Sequence, residues 1–232
     1  MDLYAGTSGW SYAEWKGKFY PAKFSTGRML PFYSGHFRAV EVNYTFRSKP
    51  TVAQLEGWAE QVPAEFRFAL KAPEQLTHKQ RLQNADAVLA PWWEVVSALK
   101  DRLGPVLFQL PPYFQKDAVR LRGALTALPL SCRAAFEFRH PSWYDDEVFK
   151  MLREHQAALC VADTGSERDP PLVATADWGY LRLRQTSYGE AELGAWLKRL
   201  KEQKWNDVFV FFRHEDEAQG PQLATQLLGL AA

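Results

Sequence analysis

The sequence predicts a single α/β domain folded as a (β/α)8 TIM-type barrel over residues 1–232. Three observations predict it. Short β-like runs recur eight times, with longer helical stretches between them. The length of 232 residues suits one such barrel, which commonly needs roughly 200–250. No glycine-rich phosphate fingerprint follows the first run, which speaks against an open dinucleotide-binding sheet.

The predicted strands, in order, are Leu3–Gly6, Ala39–Asn43, Arg67–Lys71, Val106–Leu110, Ala134–Phe138, Ala158–Asp163, Tyr180–Arg184 and Val208–Phe212. Between them, Asp86–Leu103 places Val88, Leu89, Trp92, Val95, Val96 and Leu99 near helical period. Asp117–Leu128 follows with Val119, Leu121, Leu125 and Leu128. Asp145–Glu154 opens with acidic residues, which suit the positive end of a helix dipole. Glu190–Gln203 carries Leu193, Trp196, Leu197 and Leu200, and Pro221–Leu230 closes the set. No linker, internal repeat or low-complexity stretch divides the chain.

Composition narrows the function classes. Lys plus Arg number 28 and Asp plus Glu 27, so the chain lacks the overall basic field of a non-specific nucleic-acid binder. Any anion site is then a local cluster. The two cysteines, Cys132 and Cys160, make neither a disulfide framework nor a zinc quartet. Cys160 lies in an apolar run and reads as a small core residue. No signal peptide is read at Met1-Asp2, and no apolar run reaches the ~20 residues that span a bilayer. The expectation is a cytoplasmic protein without a membrane partner.

Strand side chains alternate between faces. If the apolar residues of each run face the helices, the polar ones face the barrel interior. Val40 and Val42 outward put Glu41 and Asn43 inward. Phe68 and Leu70 outward put Lys71 inward, and Phe108 and Leu110 do the same for Gln109. Phe136 and Phe138 outward put Glu137 and Arg139 inward. Leu181 and Leu183 outward put Tyr180, Arg182 and Arg184 inward. Asp163 ends the sixth run and is grouped with these acids; either Arg213 or His214 faces the mouth from the eighth. These polar residues cluster near the C-terminal ends of their strands, where barrels of this class bind ligands.

Six segments carry a resemblance. They are GTSGWSYAEWKGKFYP (residues 6–21), VEVNYTF, FALKAP with LTHKQRL, GPVLFQLPPYF, FEFRHPSWY and CVADT. In this order they resemble the YecE-like family, also known as domain of unknown function 72, over nearly the whole chain. The resemblance implies a barrel and implies no reaction. The positions that match the family pattern are Gly6, Trp10, Tyr12, Trp15, Glu41, Asn43, Lys71, Pro73, Thr77, His78, Gln109, Pro111, Glu137, Arg139, Trp143 and Asp163. The chain departs from that pattern after the seventh strand, where it is shorter but keeps Tyr188, and again after the eighth.

Several chemistries are open to these residues. Glu41, Glu137 and Asp163 with His78, His140 or His214 are ligand types for a divalent metal, as in metal-dependent sugar isomerases or lyases. No HExxH or His-x-His spacing supports one, so a metal is not favoured. Ser8, between Gly6 and Gly9, is not a nucleophile elbow; Thr7 and Ser8 could offer hydroxyls and N–H groups to an anion. Trp10, Tyr12 and Trp15, joined by Tyr44, Trp143 and Tyr188, are candidates for stacking a base or sugar ring. The reading we carry forward is a small anionic, phosphorylated or nucleotide-like ligand held by Arg139, Lys71, Arg182 and Arg184. Asn43, Gln109, Trp10, Tyr12, Trp143 and His78 complete the ligand set. Glu41, Glu137 and Asp163 orient the arginines or serve acid/base work in phosphoester hydrolysis. The alternative is a non-catalytic module for nucleic acid or a small anion.

Overall fold

The structure is a computed structural model that describes residues 1–213 and 216–232. His214 lies outside the described residues. The described residues form eight parallel strands: β1 (Asp2–Thr7), β2 (Ala39–Val42), β3 (Arg67–Lys71), β4 (Leu103–Gln109), β5 (Ala134–Glu137), β6 (Ala158–Asp163), β7 (Trp178–Leu183) and β8 (Asp207–Phe212). From β2 to β8 each strand pairs with its sequence neighbour, and β1 pairs with β8. The ring closes between β1 and β2 through a bridge at Ser8 and Glu41, with Gly9 N donating to Glu41 O at 2.8 Å.

That seam is tight, and two groups make it. A Cβ on Gly6 would lie 2.1 Å from the Ala39 carbonyl oxygen. Beside it, Tyr33, from helix α1 (Met29–Ser34), pushes its hydroxyl between the strands. Its oxygen accepts from Thr7 N at 2.8 Å and donates to Ala39 O at 3.1 Å. The hydroxyl thus satisfies two buried backbone groups that the incomplete β1–β2 ladder leaves over.

The outer layer holds α2 (Tyr44–Arg47), α3 (Val52–Glu60), α4 (Ala85–Val96), α5 (Ala118–Thr126), α6 (Asp146–Glu154), α7 (Glu190–Glu202) and α8 (Gln219–Ala231). Their starts follow capping chemistry. Thr51, Asp117 and Asp145 accept from the backbone N–H three residues on, at Gln54, Arg120 and Val148. The helix expected over Asp86–Leu103 is interrupted. It is α-helical to Val96 and then tightens into a 3-10 segment, Ser97–Arg102, with Lys100 at φ 50°. The chain needs that turn to enter β4 at Leu103. Among the described residues no helix is long and apolar enough to cross a membrane.

The barrel interior is filled asymmetrically. Ala39, Ala69, Ala135, Ala158 and Cys160 line one side, opposite Tyr4, Trp178, Tyr180, Phe209 and Phe211. Small side chains on one arc make room for aromatic ones on the other, so the lumen is a packed core. Above this layer, toward the C-terminal ends of the strands, the interior turns polar.

The seam predicts a stability series. Gly6→Ala is expected to lose about 3 kcal/mol, because the neighbour that must yield is backbone. Tyr33→Phe is expected to lose about 1–3 kcal/mol by stranding Thr7 N–H and Ala39 C=O. Gly123→Ala, in open space on α5, is expected to gain up to ~1 kcal/mol. Urea unfolding at neutral pH measures all three, and a neutral Gly6→Ala would mean the seam is looser than described.

Candidate functional site

The polar layer is one connected network. Arg182, on β7, is only 1% exposed. Its Nη1 donates to Glu137 Oε2 at 2.6 Å and its Nη2 to Glu41 Oε1 at 2.8 Å. Glu41, on β2, also accepts from Ser8 Oγ at 2.6 Å and, at its other oxygen, from Tyr180 Oη at 2.8 Å. Glu137, on β5, accepts from Gln109 Nε2 at 2.9 Å at each oxygen and from Arg139 Nε at 2.9 Å. Gln109, on β4, turns its Oε1 to Lys71 Nζ at 2.9 Å. Arg184 Nη1 completes the ring 3.8 Å from Glu137 Oε1.

Burial alone would push both carboxyls up. For Glu137, the Arg182 and Arg139 charges and the hydrogen bonds from Gln109 and Arg139 outweigh it and hold it well below the carboxylate range. Glu41 is also held down against burial, by Arg182 and by the hydroxyls of Ser8 and Tyr180. Lys71 moves the other way. Burial and the Arg182 charge lower it to about 8, against the pull of Glu41 and Glu137. His78 is lowered by burial and by the Lys71 and Arg139 charges.

Counting formal charges decides what the network lacks. Two carboxylates, Glu41 and Glu137, face four cations: Lys71, Arg139, Arg182 and Arg184. With Lys71 protonated, two positive charges are left over. They sit at the open end, where Arg139 and Arg184 are 29% and 21% exposed while Glu137 is fully enclosed. Both arginines line a cleft of about 280 Å³ with Tyr144, Arg168 and Asp169. The β6–β7 loop is folded over this cleft by Asp169, which accepts from Thr164 N and Oγ1 and from Ser166 N.

A second cleft, of about 300 Å³, opens at the β1–β2 side of the mouth between Trp10, Tyr12, Asn43, Tyr44, Gln54 and Trp58. Trp10 and Tyr44 meet Trp58 edge-on, and Tyr44 is 49% exposed. A groove of about 360 Å³ outside the barrel is lined in part by Phe46 of α2, the ring beneath Lys71, but holds none of Lys71, Arg139, Arg182, Arg184, Glu41 and Glu137.

Several expected site residues stand elsewhere. Asp163 shares its strand face with Leu159 and Val161 and points outward; it accepts from Trp196 Nε1, Gln185 Nε2 and Tyr188 Oη. It tethers α7 and the β7–α7 loop and takes no part in the carboxylate network. Trp143 is wholly buried, stacked on Phe138 at 4.6 Å with its Nε1 donating to Phe114 O. It is a core residue and offers no stacking face. Trp15 and Tyr188 are buried as well. Asn43 leaves the strand with helical φ and ψ, so it lines the aromatic cleft and not the charged ring. Arg182 is enclosed and holds the carboxylates. Ser8 spends its hydroxyl on Glu41. Arg213 is exposed, and its charge acts on Arg184. His78 sits in a single π-helical turn, Gln75–Lys79, edge-on to Phe46 at 4.9 Å. Among the described residues no three His, Cys, Asp or Glu side chains converge as metal ligands. Arg168, Phe46 and Trp58 were not anticipated, because they come from the β6–β7 loop, α2 and α3, outside the reach of strand alternation.

The network predicts a pH signature. Glu137→Gln is expected to cost about 3–5 kcal/mol at pH 7, by leaving Arg182 without one of its two buried partners. A carboxyl held below its ordinary value of 4.5 contributes stability that is fully present above that value and is lost as pH falls toward its native value. The gap between wild type and variant should therefore narrow below pH 4.5. Denaturant titrations from pH 7 to pH 3 measure it; a constant gap would show that ionised Glu137 does not hold the layer together.

The same arrangement can be set beside known proteins. The family described as "Protein of unknown function DUF72" matches residues 4–232. The chain is 29% identical to the UPF0759 protein YecE of Escherichia coli (strain K12), over 97% of this chain and 91% of that protein. It is 26% identical to the UPF0759 protein YunF of Bacillus subtilis (strain 168), over 98% and 94%. The fold superposes on the crystal structure of a DUF72 family protein from Thermotoga maritima with a TM-score of 0.76 and 26% identity, covering 100% of this chain and 99% of that one. A match that runs from β1 to the last helix, in sequence and in fold, makes this chain a member of the DUF72 family.

Proposed function

We propose that the barrel mouth binds a small phosphorylated ligand, with Arg139 and Arg184 as its principal anion ligands and Lys71 facing it across Gln109. The surplus of two positive charges at the open end carries this reading. Among the described residues the terminal nitrogens of Arg139 make no hydrogen bond, and Arg184 reaches Glu137 only at 3.8 Å. Arg168 adds a third guanidinium to the same cleft. Forked donors around a concave, partly desolvated space suit phosphate oxygens.

The aromatic cleft supports a nucleotide-like ligand in particular. Trp10, Tyr44 and Trp58 offer ring surface, and the amides of Asn43 and Gln54 offer donors and acceptors to the edge of a planar ring. The hydrolytic reading draws less support. Glu41 and Glu137 are ionised at neutral pH and hydrogen-bonded at every carboxyl oxygen, which suits orienting arginines better than giving or taking a proton. Binding without hydrolysis is the function this geometry favours.

A thermal-shift panel tests it, with inorganic phosphate, nucleoside phosphates, sugar phosphates, short oligonucleotides and divalent metals. A ligand at a hundred times its Kd adds about 2.7 kcal/mol. Phosphorylated compounds are expected to stabilise wild type and to leave Arg139→Ala unshifted. Trp58→Ala should weaken nucleotides but not inorganic phosphate. A panel in which only metals shift the protein, or nothing does, would sink the proposal.

A further inference from the structure

We propose that Lys71 is a nucleophilic amine that forms a Schiff base with the carbonyl carbon of a small anionic aldehyde or ketone. The proposal rests on the anion reading above, in that Arg139 and Arg184 hold the charged end of the compound while Lys71 meets the carbonyl.

The argument begins with what Lys71 lacks. Among the described residues no carboxylate lies in ion-pair range of its Nζ, because Glu41 and Glu137 are taken by Arg182 and Arg139. A lysine placed to balance charge would sit on one of them. Lys71 instead stands between the amide oxygen of Gln109, at 2.9 Å, and the face of Phe46, 4.0 Å from the ring centroid. The charged and titratable groups acting on it are Arg182 and Arg139, which oppose its charge, and Glu41 and Glu137, which support it; His78 is nearby. Burial and the like charges leave about a tenth of it neutral at pH 7, far more than a solvated lysine.

Its neighbours also fix its direction. Gln109 cannot turn, since its Nε2 donates to both oxygens of Glu137. Its oxygen therefore always faces Lys71 and takes one N–H. That leaves the lone pair of the neutral amine free for an electrophile in the mouth. The Phe46 face favours a cation above it, and an iminium is one.

The step balances without a further reactant. The neutral Nζ pair forms the C–N bond while the carbonyl π pair moves to oxygen. One proton passes from nitrogen to oxygen, giving the carbinolamine. The C–O bond then breaks as that oxygen takes a second proton and leaves as water, and the iminium remains. His78, in contact with the same Phe46 ring and lowered toward its neutral form, is the titratable side chain placed to relay these protons.

Reductive trapping tests the proposal. Wild-type protein is incubated with dihydroxyacetone phosphate, pyruvate or acetone, reduced with borohydride, digested and mapped by mass spectrometry. The expected adduct has the mass of the compound less one oxygen, sits on Lys71, forms with the two anions in preference to acetone, and is suppressed by inorganic phosphate. Its rate should rise to half its maximum near pH 8, below the range of solvated lysines. Lys71→Arg, checked for folding by its thermal melt, should give none. Labelling spread evenly over surface lysines, or labelling of Lys71 indifferent to phosphate, would overturn the proposal. If dihydroxyacetone phosphate stabilises wild type in the melt yet leaves Lys71 unmodified, the Schiff base fails and the anion site stands. If it neither stabilises nor modifies the protein, both readings fall.

Discussion

Arg182 is the residue on which the upper half of the barrel depends. A guanidinium this deeply buried costs several kcal/mol to desolvate. The cost is offset only if Glu41 from β2 and Glu137 from β5 both reach it, at 2.8 and 2.6 Å. Three strands must therefore hold one register at once. A slip of one residue in any of them would swing its charge to the apolar helix side. The remaining polar groups follow from this pair of contacts. Ser8 and Tyr180 fill the free positions on Glu41, and Gln109 and Arg139 fill those on Glu137.

Below that layer the barrel is governed by volume. Alanines on β2, β3, β5 and β6 stand opposite aromatic side chains on β1, β7 and β8. This packing leaves no room for a ligand and needs none. The seam at Gly6 and Tyr33 lets β1 approach β2 closely enough for Ser8 to reach Glu41. A backbone constraint at the side of the barrel thus sets the geometry of a carboxylate at its mouth.

Much of this was legible in the sequence because a strand alternates strictly. Val40 and Val42 announce Glu41; Phe136 and Phe138 announce Glu137; Leu181 and Leu183 announce Arg182. Asp163 shows the same rule neglected. Leu159 and Val161 share its parity, and alternation applied to β6 would have sent it outward, where it meets Trp196 and Tyr188. Trp143 was not legible in this way. Its burial comes from stacking on Phe138 and from Phe114, a residue of a different loop, and no local pattern encodes a contact 29 residues away. Nor does alternation reveal exposure: Arg182 lies within β7 and Arg139 two residues past the end of β5, in runs with the same sequence signature, yet Arg182 is enclosed and Arg139 lines the cleft.

That last difference bears most on function. In the enclosed half each carboxyl oxygen is hydrogen-bonded and Arg182 is held at both terminal nitrogens, and its buried Nε alone makes no hydrogen bond among the described residues. The open half differs. Arg139 and Arg184 gather around the single carboxylate of Glu137 and repel each other, and Arg139 also repels Lys71. Such an arrangement destabilises the unliganded fold relative to one with neutral residues at these positions. On the proposed reading, an entering anion would turn the same repulsion into attraction, and binding would stabilise the native state in proportion. Arg139 is anchored through its Nε to Glu137, which lowers the ordering that would oppose binding. Carboxylates hydrogen-bonded at every oxygen below and uncompensated guanidinium charge above are the contrast on which the proposed binding of a phosphorylated ligand rests.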